Sequence, residues 1–208
     1  MKLYYSPGAC SLSPHIVLSE SGLAFALEKV DLGAKKTENG ADFLMVNPKG
    51  YVPVLRLDDG QLLTEGPAIL QYVADLVPER KLAPPAGSME RYRLQEWLNF
   101  ISTELHKGFS PLFNPKAPED WKSAAKQLLG KRLEIVSRTL QNHSHLLGDG
   151  FTVADAYLFT VLRWAKRVNL DLAPWPLLEA YQQRIAARSA VRTALEQEGL
   201  LVQVSATI

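Results

Sequence analysis

The chain has 208 residues, of which 47% are hydrophobic and 22% are charged, and this length and composition indicate a folded protein with one large domain or two small ones. The formal net charge of +1 gives no electrostatic support for a nucleic acid or an anionic membrane as partner. The single cysteine excludes an internal disulfide, no apolar run is long enough to span a bilayer, and the N-terminus lacks a secretory pattern, so we expect a cytoplasmic protein with no membrane partner.

The first 80 residues alternate between the patterns of strands and helices. Gly22 ends the first helical pattern, and Asp59-Gly60 separates two short strand patterns, which favours an antiparallel hairpin. In chain order the pattern predicts strand 2–5, helix 11–21, strand 27–32, a short helix within 35–46, strands 52–57 and 62–63, and helix 66–77. This β-α-β-α-β-β-α order predicts an α/β domain over residues 1–80.

Helical patterns follow a linker at 81–87, whose two prolines and glycine do not fit a regular element. The predicted helices cover 88–109, 118–142, 152–168, 176–187 and 190–198. At about 100° per residue, the first of them carries one apolar stripe, formed by Leu94, Trp97, Leu98, Ile101 and Leu105. Residues 88–208 therefore predict an all-α domain.

Cys10 lies between the first strand and the first helix, after a Ser-Pro-Gly turn. A thiol at a helix N-terminus feels about half a positive charge, which favours the nucleophilic thiolate. A fall of the pKa from about 8.5 to about 6.5 would raise the thiolate fraction at pH 7 from roughly 3% to roughly 75%. The alternative is a small buried apolar residue without chemistry.

Two further positions are suited to a peptide-like ligand. Pro53 opens a strand, and a cis bond before it would turn the N–H and C=O of Val52 outward, where an extended peptide could pair with them. Gly66 exposes a backbone N–H at a helix start, which suits a carboxylate, and Glu65 beside it suits an ammonium. The alternatives are an ordinary edge-strand proline and simple helix capping.

The helix from residue 88 carries a polar face. Asn99, Thr103 and His106 lie within roughly 60° of one another, with Glu104 and Lys107 beside them. A histidine and a lysine that face a thiol lower its pKa, and the histidine could accept the thiol proton. The alternative is a solvated helix face.

A capping box begins the helix at residue 152. Thr152 is the expected N-cap, Asp155 stands three residues later, and Phe151 precedes them as half of a hydrophobic staple. We interpret this motif as structural. The histidines show no metal-ligand spacing, and there is neither a P-loop nor a Gly-x-Gly-x-x-Gly motif, so we expect no metal.

In this order and spacing the motifs resemble those of the cytosolic glutathione transferases, specifically the bacterial beta class. The resemblance covers essentially the whole chain. It rests on Tyr5…Cys10, Lys35, Asn47-Pro48-Lys49-Gly50, Val52-Pro53, Leu63-Thr64-Glu65-Gly66, Glu96-Trp97-Leu98-Asn99, Thr103-Glu104-Leu105-His106-Lys107 and Thr152…Asp155. It implies a thioredoxin-like N-terminal domain, an all-helical C-terminal domain, a homodimer, and glutathione as co-substrate without a further cofactor.

The resemblance also implies roles for individual residues. Cys10 would lie beside the glutathione sulfur, with His106 and Lys107 as further catalytic groups. Lys35 would pair with the glycyl carboxylate and Val52, beside cis-Pro53, with the cysteinyl backbone. The γ-glutamyl head would lie at Glu65 and Gly66. Asn99, Thr103 and Glu104 would complete the site, some of them across the dimer interface, and Tyr5 aligns with the sulfur-activating tyrosine of other classes.

The leading hypothesis is therefore an enzyme that transfers the glutathione sulfur to a hydrophobic electrophile, with removal of chlorine from aromatic breakdown products as one specialisation. A monothiol redox enzyme acting through a Cys10–glutathione mixed disulfide is the second hypothesis. A non-catalytic carrier or regulatory protein is the third. The electrophile pocket is expected between the domains, walled by Phe109, Phe113 and Trp164.

Overall fold

The computed structural model describes residues 1–201, and a mixed five-stranded sheet occupies the first third of the chain. The spatial order is β3-β2-β1-β4-β5; β1 and β2 pair in parallel and the other pairs are antiparallel. The central Leu3 lies opposite Leu27 on one side and Leu55 on the other. The strands are β1 (Lys2–Tyr5), β2 (Ala26–Asp31), β3 (Lys36–Thr37), β4 (Val54–Arg56) and β5 (Leu62–Thr64).

Two helices pack on this sheet, and both agree with the sequence prediction to within one residue. Helix α1 (Leu12–Ser21) ends at Gly22, whose φ of 74° is the left-handed conformation that glycine adopts without steric cost. Helix α2 (Gly66–Leu76) buries Ile69 and Val73 as its periodicity predicts. The predicted positions of the first and the last helix of this region are therefore confirmed.

The segment 35–46, predicted as a loop with a short helix, also contains a strand that the sequence did not indicate. Lys36–Thr37 forms β3, which pairs with β2, and only Phe43–Met45 makes a single 3-10 turn. The Asp31 carboxylate accepts hydrogen bonds from the backbone N–H groups of Gly33 and Ala34. This local turn returns the chain beside β2, so the segment adds an edge strand before its short helical turn.

The remainder of the described chain is helical. The predicted helix 88–109 is interrupted: after α3, Ile101–His106 is π-helical and Lys107–Phe109 is a 3-10 turn. The predicted helix 152–168 is also divided, at Arg163. The helices are α3 (Met89–Phe100), α4 (Ser110–Phe113), α5 (Glu119–Thr139), α6 (Val153–Leu162), α7 (Trp164–Arg167), α8 (Pro176–Ala186) and α9 (Ser189–Gln197).

One continuous apolar cluster joins the sheet-bearing and helical regions, extending from Leu3 in β1 to Val191 in α9. Helix α6 is central to it, since all ten of its residues are buried. The capping box is confirmed: the buried Asp155 carboxylate accepts the N–H of Thr152 at 2.9 Å. The same carboxylate also accepts Leu146 N–H and the Tyr181 hydroxyl, so it ties α6 to α8 and to the preceding loop.

Among residues 1–201, no helix has the length and apolar character needed to cross a membrane. Within the same range, no three His, Cys, Asp or Glu side chains are grouped as metal ligands.

Candidate active site

A cavity of about 290 Å³ lies between the sheet-bearing region and the helical region, and Cys10 faces it. One wall comes from the loop before β4 and from the start of α2. The opposite wall comes from the π-helical segment and α6. The lining residues are Cys10, Tyr51, Val52, Pro53, Glu65, Gly66, Pro67, Ser102, His106, Lys107 and Tyr157.

Cys10 is the only cysteine of the chain, and its thiol acts as a hydrogen-bond donor. Its Sγ lies 3.2 Å from the carbonyl oxygen of Val52. Burial raises the pKa of the Cys10 thiol to about 11, with Glu65 adding to the rise; the backbone N–H groups at the helix start and Lys107 oppose it. The expected lowering of this pKa is therefore wrong, because desolvation outweighs the helix dipole and the lysine together.

The Val52–Pro53 peptide bond is cis, as the family resemblance implied. Both residues line the cavity, and the carbonyl of Val52 points at the Cys10 thiol. Lys35 does not line the cavity; its ammonium donates to the carbonyl of Gly50 at 2.7 Å. Lys35 is thus held next to Gly50, one residue before Tyr51, which does line the cavity.

Glu65 and Gly66 meet the cavity at the first turn of α2. The Glu65 carboxylate accepts the Lys49 ammonium at 2.7 Å and the Tyr51 hydroxyl at 3.0 Å. These contacts, with Lys49 foremost, lower the pKa of Glu65, so the carboxylate is ionised at neutral pH. Tyr51 was not among the residues expected from the sequence, and a lone tyrosine in a loop gives no signal that would have found it.

The π-helical segment decides which residues of the helical region face Cys10. A π turn contains one residue more than an α turn, and Lys107 N–H bonds back to the carbonyl of Ser102. Ser102, His106 and Lys107 consequently line the cavity. Sequence reasoning at 100° per residue found the latter two but missed Ser102.

The other expected residues of this helix lie elsewhere in the protomer. Asn99 and Thr103 are exposed, and the Thr103 hydroxyl donates to the Asn99 carbonyl. The Glu104 carboxylate accepts Arg132 of α5 at 2.6 Å. None of the three lines the cavity of its own protomer, and the expectation that some of them act across a dimer interface stays a prediction.

His106 is held as a neutral imidazole. Its Nδ1 lies 2.7 Å from the Tyr157 hydroxyl, and its ring packs edge-on against Trp164 at 4.8 Å between centroids. Burial, followed by the nearby Lys107, lowers the pKa of His106 to about 4. Burial raises the pKa of Tyr157, so its hydroxyl stays protonated and can donate to Nδ1. The proton of His106 then resides on Nε2, the remaining ring nitrogen.

The loop that carries Cys10 is fixed by the helical region. Gly8 N–H donates to the Glu198 carboxylate at 2.8 Å, and the Trp164 indole N–H donates to the Gly8 carbonyl at 2.9 Å. The other oxygen of Glu198 contacts the buried His15 ring at 2.9 Å. The N–H and the carbonyl of Gly8 are thus both hydrogen-bonded to the helical region. No sequence pattern linked residues so distant along the chain.

The aromatic residues expected around the electrophile differ in their exposure. Phe113 is 45% exposed and packs against Trp164. Phe109 is fully buried behind Trp164, so it supports this wall and does not face an open cavity. Tyr5 is also buried, beside the ring of His15. Tyr5 does not line the Cys10 cavity, because β1 directs its side chain into the core, and the expectation that it contacts substrate stays a prediction.

A larger cavity of about 1110 Å³ lies between the linker, α3 and the loop before α6. Arg91, at its edge, is already paired with Asp75. This cavity shares no lining residue with the Cys10 cavity and contains no thiol. We therefore assign the chemistry to the smaller cavity.

Comparison with known proteins identifies the fold. Residues 8–76 match the family model "Glutathione S-transferase, N-terminal domain", and residues 100–189 match "Glutathione S-transferase, C-terminal domain". The chain is 55% identical to glutathione S-transferase GstA of Escherichia coli O157:H7, over 96% of this chain and 100% of the relative.

Solved structures agree with this result. A ternary complex of BphK, a bacterial GST, has 63% identity and a TM-score of 0.95, covering 96% of this chain and 100% of its own. A sphingomonad glutathione S-transferase complexed with glutathione and a bacterial beta class enzyme from Sphingomonas chungbukensis each have 50% identity and a TM-score of 0.93, covering 97% of this chain and 100% of theirs.

Proposed function

The chain belongs to the glutathione S-transferase family and resembles its bacterial beta class; on that premise we propose that it conjugates the thiol of glutathione to hydrophobic electrophiles in the Cys10 cavity. The observation that carries this proposal is the meeting of three groups in one cavity: the Cys10 thiol, the backbone at Val52–Pro53 and the carboxylate of Glu65. A thiol tripeptide with a free amino-acid head has a complementary group for each.

Each part of glutathione has a matching group. The γ-glutamyl ammonium pairs with Glu65, and its carboxylate accepts the N–H at the start of α2. The cysteinyl backbone pairs with Val52 as an added strand. The glycyl carboxylate lies toward Lys35 at the loop end of the cavity. This placement leaves the sulfur between Cys10, His106 and Lys107.

In this arrangement the protein favours the glutathione thiolate. Lys107 supplies positive charge next to the sulfur, which lowers the thiol pKa of the substrate. The thiolate can accept a hydrogen bond from the Nε2–H of neutral His106, and one from the Cys10 thiol if its proton turns away from the Val52 carbonyl. The thiolate then attacks an electrophilic carbon: the C–S bond forms, the carbon–halide bond breaks, halide leaves, and the thiol proton passes to solvent.

The raised Cys10 pKa bears on the redox alternative. A mixed disulfide between Cys10 and glutathione requires attack by the Cys10 thiolate, and at a pKa of about 11 this form is scarce at neutral pH. We therefore place conjugation first. We further propose a cytoplasmic homodimer, in which some of Asn99, Thr103 and Glu104 reach the cavity of the partner subunit.

The test begins with purified protein, reduced glutathione and 1-chloro-2,4-dinitrobenzene, with thioether absorbance as the readout. Turnover well above the uncatalysed rate supports conjugation. Absence of turnover with glutathione still bound in calorimetry favours the monothiol redox route, to be checked by release of glutathione from a mixed disulfide. Absence of both favours a carrier on the same fold.

A matched pair of variants tests the binding site. Glu65→Gln should weaken glutathione binding at least about tenfold, because a charge-assisted hydrogen bond of roughly 1.5–3 kcal/mol is lost. Glu179→Gln, at an exposed position of α8, is the control and should bind normally. Equal affinities for the two variants would refute this placement. Light scattering measures the oligomeric state, and a monomer would refute the homodimer.

A further inference from the structure

A chain of hydrogen bonds runs from the π-helical segment through α6 to His106. The Ser102 hydroxyl is hydrogen-bonded to the Tyr157 oxygen, and the Tyr157 hydroxyl lies 2.7 Å from His106 Nδ1. All three residues line the Cys10 cavity, and Tyr157 is only 2% exposed. A hydroxyl has one proton to donate and lone pairs to accept, so the direction of this chain decides which ring nitrogen of His106 carries the proton.

Two effects on the Tyr157 hydroxyl indicate the direction of the chain. Burial raises the pKa of Tyr157, so the oxygen keeps its proton, and the hydrogen bond from Ser102 opposes this rise. A neighbouring hydroxyl lowers the pKa of a phenol when it donates to the phenol oxygen. With Ser102 as the donor, the Tyr157 proton is directed at Nδ1. Nδ1 then accepts with its lone pair, and the imidazole proton is on Nε2.

The imidazole ring is also held in orientation. Its edge-on contacts with Trp164 and Tyr157 have centroid separations of 4.8 Å and 5.9 Å. Tyr157 belongs to α6, whose ten residues are all buried and whose start is held by the Asp155 carboxylate. Ser102 and His106 belong to one π-helical segment. The three hydrogen-bonded groups are therefore on elements that leave them little freedom to rotate.

We propose that Tyr157, oriented by Ser102, is a positioning residue that makes His106 a hydrogen-bond donor to the glutathione sulfur and excludes it as the base for the thiol proton. Nε2 already carries a proton and has no lone pair for a second one, while Nδ1 is occupied by the Tyr157 hydroxyl. The bond from Tyr157 also polarises the ring, which strengthens Nε2–H as a donor. The inference rests on the proposed conjugation and specifies how His106 takes part in it.

The proton balance of the step follows from this assignment. The S–H bond of glutathione breaks with its electron pair left on sulfur, and the proton goes to a base in solvent. His106 neither gains nor loses a proton. It contributes the hydrogen bond from Nε2–H, which stabilises the thiolate that attacks the electrophile.

The direct test measures the His106 tautomer by NMR in the absence of glutathione. The four histidines are labelled with ¹⁵N, and the His106 signals are identified by their loss in His106→Gln. Two-bond couplings to the ring protons distinguish the Nε2–H tautomer from the Nδ1–H tautomer. We expect Nε2–H alone in the native chain and the appearance of Nδ1–H in Tyr157→Phe. A native Nδ1–H tautomer, or identical spectra for the native chain and Tyr157→Phe, overturns the inference.

Two further variants separate positioning from structural support. Tyr181→Phe removes another buried hydroxyl, which bonds to Asp155 at the start of α6; it should lower stability in urea and leave the His106 tautomer unchanged. Ser102→Ala removes the donor to Tyr157 and should also admit Nδ1–H, to a smaller extent than Tyr157→Phe. An equal change in Tyr181→Phe would overturn the role of Tyr157, and no change in Ser102→Ala would overturn that of Ser102.

The consequence for the substrate is measured as the pKa of the bound glutathione thiol, from the ultraviolet absorbance of its thiolate across neutral pH. The weaker donor in Tyr157→Phe should raise this pKa, so that the thiolate fraction at fixed pH falls about fivefold, equivalent to about 1 kcal/mol. Tyr181→Phe should leave it unchanged. An unchanged or lower pKa in Tyr157→Phe overturns the donor role. The titratable groups that line the cavity around the sulfur are Cys10, Tyr51, Glu65, His106, Lys107 and Tyr157.

These two measurements separate the inference from the proposed function. The tautomer is measured without substrate, and the bound thiol is measured without an electrophile. A native Nδ1–H tautomer overturns the inference even if conjugation is fast. Both measurements with the expected results support it even if no electrophile is turned over.

Discussion

Alkylation of Cys10 by iodoacetamide should accelerate about tenfold for each pH unit between pH 7 and pH 10, without a plateau. Only the thiolate reacts, and burial raises the pKa of this thiol to about 11. The thiolate fraction at pH 7 is then about 10⁻⁴, compared with about 3% for an ordinary cysteine of pKa about 8.5. The difference of about 2.5 between these two pKa values corresponds to about 3 kcal/mol between the two protonation states.

The assay is straightforward because the chain has one cysteine, so the mass of the peptide that contains Cys10 reports the modification of this thiol without a contribution from other thiols. The same protein unfolded in urea is the control and should plateau above about pH 8.5. Steric protection lowers the absolute rate but does not move the midpoint. A plateau of the folded protein near or below pH 8 would refute the reasoning and restore the thiolate hypothesis.

Two substitutions test whether the neighbouring charges shift the pKa of Cys10 in opposite directions. Glu65 raises the pKa of Cys10 and Lys107 lowers it. Glu65→Gln should therefore accelerate alkylation at fixed pH, and Lys107→Met should slow it, each relative to the native chain. The same direction for both variants would show that access to the cavity, and not charge, controls the rate.

Three further predictions concern the residues around the cavity. Asp155→Ala should destabilise the protein by about 3–5 kcal/mol in urea unfolding, because a buried carboxylate that accepts several hydrogen bonds is removed; a loss below about 1 kcal/mol would contradict its role as a hub. The ring of His106 should show no titration by NMR between pH 5.5 and 8, since burial holds its pKa at about 4; an inflection near about pH 6.5 would contradict its neutral state. Lys49→Met should tighten glutathione binding up to about fivefold in calorimetry, because it frees the Glu65 carboxylate from a half-exposed ion pair, which contributes little in water; weaker binding would instead make Lys49 a ligand of the tripeptide.

The local sequence signals were sufficient for much of the fold. Gly22 marked the end of α1, the Asp59-Gly60 turn marked the hairpin, and the spacing of Thr152 and Asp155 marked the start of α6. Each of these features depends on interactions within a few residues, so it can be predicted from the local sequence. The segment 35–46 did not, because its strand forms only where β2 is available as a partner.

The candidate site was predictable in part. Motif order identified Cys10, Val52–Pro53, Glu65–Gly66, His106 and Lys107, and all of them line one cavity. Ser102 was missed because a π turn displaces the helix face from its regular position, and Tyr157 was missed because only the docking of α6 brings it to His106.

By itself, the sequence determined the order of the elements, the residues that end and begin them, and the set of polar groups that a thiol tripeptide would require. The tertiary structure decided how these groups behave. Burial reversed the expected shift of the Cys10 pKa, Glu198 immediately after α9 fixed the cysteine loop, and α6 brought Tyr157 to His106. The reason is physical: propensities and caps act over a few residues, whereas desolvation and the field at a site depend on every atom packed around it, however distant along the chain.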